Sequence, residues 1–240
     1  MVHAATPVTS VEKLVHRIFD HASGPLADEV AGWLAGSGRF RGFVEANSDK
    51  IRKKLRGAKD AEARLDVRME LEVAQRLLAD RRIEVAFEAY GSTTGGPDFT
   101  LTFRGESAFN LEVTRVRHVP HATIHAAPIV AKLRQLPPSV PNALLVAFDG
   151  VGAEAEPFDV AAATRGLRAR ADGKDEAYFS SRGFDGTRGF YRRYLRLGAV
   201  LVWREGVTGE DCVTLWTNRS AHLTVPDRAL RACLACLQLT

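Results

Sequence analysis

Apolar residues recur at three- and four-residue spacing through the first quarter of the chain. In "SVEKLVHRIFDHA", "LADEVAGWLAG" and "RFRGFVEANSDKIRKKLR" this period predicts helices throughout residues 9–56. A longer helix is expected over residues 60–80, where strong helix formers run with few breakers. The pattern then changes. "RIEVAFEAY" (82–90) reads as a strand, and "GGPDFTLTFRGESAFNLEVTRVR" (95–117) as two more around a turn. "HATIHAAPIVAKLRQL" (121–136) predicts a helix closed by Pro137-Pro138, and "NALLVAFD" (142–149) a buried strand. A helix over 158–171, a Gly-rich basic stretch, strands near 198–204 and 211–217, and a terminal helix in "PDRALRACLACLQL" complete the chain. The order α-β-β-β-α-β within residues 60–149 implies an α/β fold, a mixed sheet with helices packed on it. No Pro/Gly linker separates the parts, so one domain with helical elaborations is expected.

The hairpin can be aligned residue by residue. With the turn centred on Gly105, Phe99 meets Leu111, Leu101 meets Phe109, and Val113 continues that apolar face. The other face carries Asp98, Thr100 and Thr102 against Ala108, Asn110 and Glu112, with Thr114 beyond. A slip of one residue would set every apolar side chain opposite a polar one, which strand periodicity disfavours. In the favoured register Asp98 stands opposite Glu112, with β-carbons about 5 Å apart. Two carboxylates at that distance repel, and each raises the pKa of the other. A hard divalent cation between them removes the conflict, since oxygen ligands from two strands suit magnesium. The bland alternative is a solvated strand face on which the two splay apart.

The long helix adds a third carboxylate. Leu65, Met69, Val73 and Leu77 run down one broad face, widened by Val67, Ala74 and Leu78. Glu70 falls inside that arc, whereas Glu72 is expected towards the charged side with Arg68, Gln75 and Arg76. A carboxylate on a core-facing stripe must be paired, protonated, bound to metal, or at an edge reaching water.

Bulk composition narrows the classes without choosing among them. The chain has 240 residues, 45% hydrophobic and 26% charged, an ordinary globular balance. No apolar run approaches a membrane span, and "MVHAATPVTS" lacks the apolar stretch of a signal peptide, so a cytoplasmic protein with no membrane partner is expected. A net charge of +4 permits a nucleic-acid partner. Three cysteines cannot make a disulfide framework; Cys233 and Cys236 have redox or zinc spacing but fall late in a helix, so they read as core packing, with metal or redox work the alternative.

"MELEVAQRLLADRRIEVAFEAY" followed by "GGPDFTLTFRGESAFNLEVTRVR" resembles the PD-(D/E)XK nuclease superfamily, the restriction-endonuclease-like fold. The resemblance spans about residues 60–150 and rests on Glu70 with Val73-Ala74 and Leu77-Leu78, on Pro97-Asp98, and on Glu112-Val113-Thr114. "KIRKKLRGAKDAEARLDVRMELEVAQRLL" and the later "LWTN" resemble an uncharacterised bacterial branch with the same core. The resemblance implies an αβββαβ core over 58–150, with N-terminal helices over 1–57 and a C-terminal α/β extension over 151–240. It also implies metal-dependent phosphodiester hydrolysis, with DNA as the expected substrate and a homodimer as a possible assembly. Asp98, Glu112 and the Val113 carbonyl would hold Mg2+ or Mn2+, and Glu70 would complete or orient the shell. One position departs from the family: the motif usually ends in lysine, and here Thr114 stands there. Alternation points Arg115 and Arg117 to the other face. Lys132 on the following helix is the expected replacement, with Gln135 one turn on resembling a glutamine of some relatives; an ordinary exposed helix lysine is the alternative. Without a lysine in place, the chain reads instead as an inactive nuclease-like module binding nucleic acid or a partner protein.

Other features are minor. His118, His121 and His125 could set two imidazoles on one helix face, but no third zinc ligand is evident. "DKIRKKLRGAK" (49–59), with Lys53, Lys54 and Arg56, is a solvated helix face or a set of phosphate contacts. "GTRGFYRRYLR" (186–196) interleaves Tyr191 and Tyr194 with Arg192 and Arg193, a pattern that suits nucleic-acid binding and surface snorkelling equally.

Overall fold

A capping box at Thr9 starts the first helix: its hydroxyl accepts the Glu12 N–H at 3.2 Å, and Glu12 accepts the Thr9 N–H at 2.6 Å. The computed structural model describes residues 9–91, 95–116, 126–148, 158–204 and 212–238. The chain divides into two compact units, residues 1–79 and 80–240.

The first unit is helical among its described residues: α1 (Ser10–Ile18), α2 (Pro25–Gly36), α3 (Gly38–Ala46), α4 (Ser48–Gly57) and α5 (Ala61–Leu77). Ile18, Val30, Leu34, Phe40 and Val44 are fully buried and form its core. The continuous helical pattern of residues 39–56 breaks at Asn47, whose Nδ2 donates to the Phe43 carbonyl at 2.8 Å and ends α3. Asp60 caps α5 by accepting the Ala63 N–H at 2.7 Å.

Two expectations for α5 need correction. Met69, Val73, Ala74 and Leu77 are buried as the stripe predicts, but Leu65 is 37% exposed. Glu72, expected towards the charged side, is only 7% exposed. Arg68 and Arg76, one turn to either side, close over it at 3.0 and 2.9 Å, and Glu29 of α2 holds Arg68 at 2.7 Å. Charged neighbours bury a carboxylate when their guanidiniums supply the hydrogen bonds that water would otherwise make.

The second unit is α/β. A six-stranded sheet runs in the order β1 (Ile83–Phe87), β2 (Phe99–Phe103), β3 (Ser107–Val116), β4 (Asn142–Phe148), β5 (Leu197–Arg204) and β6 (Cys212–Thr217). The β1/β2, β2/β3 and β5/β6 pairs are antiparallel, and β3/β4 and β4/β5 are parallel, so the sheet is mixed as expected. Parallel pairs need crossovers. α6 (Ala127–Leu133) makes the first, and α7 (Val160–Asp172), α8 (Glu176–Ser180) and α9 (Gly186–Tyr194) the second. α10 (Asp227–Gln238) follows β6. Residues 121–125 of the expected sixth helix lie outside the described residues.

α8 and α9 fall within the Gly-rich basic stretch, where no helix was expected. Glycines and arginines dilute the apolar period there, yet Phe179, Phe190 and Tyr194 are buried and stack on one another. They join one cluster with Ile129 and Leu133 of α6, Leu144 and Val146 of β4, and Val200 and Val202 of β5. That cluster defines the sheet face covered by α6 to α9. No described helix is long and apolar enough to cross a membrane.

Candidate functional site

The turn between β2 and β3 takes positive φ at Arg104 (54°) and Gly105 (71°), and the Glu106 N–H donates to the Phe103 carbonyl at 3.2 Å. Glycine occupies such a conformation without the steric cost of a β-carbon. The register is Phe99↔Leu111, Leu101↔Phe109 and Phe103↔Ser107, the one read from the alternation. Phe99, Leu101, Phe109, Leu111 and Val113 are all buried.

The other face is not the open polar surface that the alternation suggests. Thr100 and Thr102 are half-buried, but Asn110 and Glu112 are 0% and 2% exposed. Glu112 pairs in register with Leu144 of β4, which puts it on the face covered by α6. The parallel β3/β4 pairing therefore carries a carboxylate into the interior.

Asp98 and Glu112 are braced against each other's strand. The Asp98 N–H donates to Glu112 Oε2 at 3.2 Å, and the Val113 N–H donates to Asp98 Oδ2 at 2.9 Å. Lys132 of α6 completes the group, with Nζ donating to Glu112 Oε1 at 2.6 Å. Burial raises the Glu112 pKa to about 7; Asp98 pushes the same way, while the Lys132 ammonium opposes both. Thr114, at the motif position, is half-buried on the same strand face as Glu112. A cation thus enters the site from the neighbouring helix.

A polar network adjoins this group, and sequence reasoning did not foresee it. Asn110 Nδ2 donates to the Tyr90 hydroxyl at 3.2 Å and to Asn142 Oδ1 at 3.0 Å, and the Thr100 hydroxyl donates to Asn110 Oδ1 at 2.9 Å. Asn142 Nδ2 faces the carbonyls of Pro137, Val140 and Arg196 at 2.9 to 3.0 Å. The available signal was Asn110 itself, an amide in the same strand row as Glu112.

The remaining sequence candidates lie as follows. Glu70 belongs to the helical unit, where it forms an ion pair with Lys54. Arg56 pairs with Asp20 at 2.5 Å, and Lys53 is exposed. Gln135, just past α6, has a buried Oε1 with no hydrogen-bond partner among the described residues. Arg192 pairs with Asp185 at 3.0 Å, and Arg193 donates to the Arg134 carbonyl at 3.2 Å. Cys233 and Cys236 are buried in α10, and burial raises both thiol pKa values, that of Cys236 to about 11. Arg117, His118, His121 and His125 lie outside the described residues.

Asp98, just before β2, and Glu112 on β3 form an all-oxygen donor set, which is the chemistry Mg2+ prefers when it takes one or two carboxylates and fills its shell from water or phosphate. Among the described residues, no group of three or more His, Cys, Asp or Glu side chains could hold a metal ion by itself. The donor set fits a substrate-assisted Mg2+ site and does not fit a closed, all-protein cage. No protein-family model, curated protein or solved structure matches this chain, and the nuclease resemblance stands on its motif residues alone.

Proposed function

We propose that the protein is a Mg2+-dependent nuclease hydrolysing phosphodiester bonds in DNA, with its site on the β2–β3 hairpin within a restriction-endonuclease-like core. The observation that carries this reading is Glu112. It is a carboxylate 2% exposed on β3, hydrogen-bonded by the Asp98 N–H at 3.2 Å and 2.6 Å from the Lys132 amine of α6. Stability alone gives little reason to bury one carboxylate next to another.

Asp98 and Glu112 would hold the ion, with the Val113 carbonyl as a further oxygen. A bound Mg2+ lowers the pKa of a water and neutralises charge developing on a phosphate. Lys132 would hold Glu112 Oε1 in place and supply positive charge where an attacking hydroxide and a phosphodiester would meet. The Val113 N–H fixes the Asp98 carboxylate and the Asp98 N–H fixes Glu112, so neither has to reorganise on binding.

Calorimetric titration of Mg2+ and Mn2+, with and without a DNA duplex, tests the reading. Binding by the wild type that vanishes in Asp98→Asn with Glu112→Gln, together with Mg2+-dependent cleavage of the duplex, supports it. Absence of binding under both conditions in a folded wild type overturns it. The second reading is an inactive nuclease-like module. It is favoured by the Lys132–Glu112 bond, in which the ammonium already serves as the counter-ion.

A further inference from the structure

Two adjoining clefts in the α/β unit share Arg192 and Arg196. The smaller, about 240 Å³, is walled by Arg134 after α6, by the Gly183–Asp185 turn, and by Arg192, Arg193 and Arg196. The larger, about 340 Å³, is lined by Arg188, Tyr191 and Leu195 together with Pro138 and Leu223.

The smaller cleft holds four guanidiniums against a single carboxylate, Asp185, which pairs with Arg192 at 3.0 Å. Arg193 and Arg196 each spend one N–H on a backbone carbonyl, Arg134 at 3.2 Å and Leu136 at 3.1 Å. Those bonds fix the two groups in place while leaving most of their five donors for another partner. Arg134 lies directly over Gly183, at φ 76°, where a β-carbon would collide with its Nη1. The turn therefore keeps a space that the guanidinium fills. Burial and then the charges of Arg193 and Arg192 lower the Arg196 pKa from its ordinary value. Like charges crowded at fixed positions are a cost to folding, and an anion between them removes it.

We propose that this pair of clefts binds a nucleoside phosphate, either a free nucleotide or the end of a nucleic-acid strand. The phosphate sits among Arg134, Arg193 and Arg196, and the base lies against Tyr191 and Leu195. Planar guanidinium forks match phosphate oxygens in pairs. The half-buried phenol ring and the leucine next to them offer a surface for a base, and the combined space lies in the range of roughly 300–1,000 Å³ of small-molecule sites. Neither Asp98 nor Glu112 lines either cleft, so the inference stands apart from the metal reading.

The test is calorimetry at low salt in EDTA on the full chain, using inorganic phosphate, AMP, adenosine, and a 12-nucleotide DNA strand with and without a 5′-phosphate. AMP is expected to bind more tightly than phosphate, and adenosine not at all. Arg134→Gln and Arg193→Gln should each weaken AMP about tenfold or more, as the loss of a charge-assisted bond does. Arg134→Lys should lose most of the same affinity, because the ammonium lacks the fork. Arg165→Gln, an exposed α7 charge outside both clefts, should change affinity less than about twofold. Gly183→Ala keeps every charge yet displaces Arg134, and should weaken AMP while circular dichroism remains native. A 5′-phosphorylated strand binding more tightly than AMP identifies a strand end as the ligand; the reverse identifies the free nucleotide. Equal losses in Arg134→Gln and Arg165→Gln, binding of adenosine as tight as AMP, or a phosphotyrosine peptide outcompeting every nucleotide probe would overturn the proposal.

Discussion

Lys132 Nζ lies 2.6 Å from Glu112 Oε1, and the two are 20 residues apart on a helix and a buried strand. The lysine side chain is 24% exposed and the glutamate side chain 2%, so the pair is half-immersed rather than sealed. Breaking a fully buried pair typically costs 3–5 kcal/mol, but here Glu112 can take up a proton instead. Lys132→Met is therefore expected to destabilise the protein by about 1–3 kcal/mol at pH 8, where Glu112 would be left charged, and by less at pH 6. Urea midpoints at the two pH values measure this. A nuclease would keep its Mg2+ binding in this variant and lose cleavage, whereas an inert module would show neither activity to begin with.

The raised pKa of Glu112 has a definite sign in a stability profile. The folded chain holds this proton up to about pH 7, while the unfolded chain releases it near the ordinary glutamate value of 4.5. Its stabilisation is full below about pH 4.5 and is lost as pH rises through about 7, an effect on the order of 3 kcal/mol. Glu112→Gln should abolish this component, so the difference between wild-type and variant stability should change over that window and level off above it. Metal should act in the opposite direction. Mg2+ competes with the proton, so its affinity should climb through pH 6 to 7 and flatten near pH 8, a trend that calorimetry at four pH values would resolve.

The hairpin was legible because a period of two with one apolar row admits a single register, and a slip at Phe99 would be paid for at every residue down to Val113. The burial of Glu112 was not legible. It depends on the parallel pairing of Glu112 with Leu144 and on α6 lying over that face, both of which are non-local. Lys132 came to notice only because Thr114 leaves the motif without its lysine. Glu72 and the α8–α9 pair were missed for a common reason. Hydrophobic periodicity registers apolar side chains, and these segments are held partly by arginine contacts that it scores as surface.

Glu72 makes that point measurable. It accepts from Arg68 at 3.0 Å and from Arg76 at 2.9 Å, with its side chain 10% exposed. Glu72→Ala leaves two guanidiniums facing a small, poorly hydrated gap and is expected to cost about 3 kcal/mol. Glu72→Gln keeps the shape and some hydrogen bonding, and should cost roughly half as much. Thermal unfolding of the full chain followed by circular dichroism would rank the two. Equal stability of Glu72→Ala and wild type would mean that water replaces the carboxylate.

Gly96 tests how firmly the loop before Asp98 is held. A β-carbon at that position would stand 2.5 Å from Tyr90 Cβ and 3.0 Å from Tyr90 Cγ. Neither atom is the free tip of a side chain, so Tyr90 must move, and its hydroxyl then leaves Asn110 Nδ2, now 3.2 Å away. Asn110 is completely buried and would retain its bonds to Thr100 and Asn142. Gly96→Ala is expected to cost about 1–3 kcal/mol from overpacking. If the cause is the collision with Tyr90, the same substitution should cost much less in a Tyr90→Gly background, where the opposing β-carbon is gone. A double-mutant cycle in urea reads that coupling directly, and additive effects would rule the collision out. Asp98 is also tied to β3 through the Val113 N–H at 2.9 Å. Mg2+ affinity should therefore fall only modestly in Gly96→Ala, because strand pairing fixes the carboxylate more firmly than the loop does.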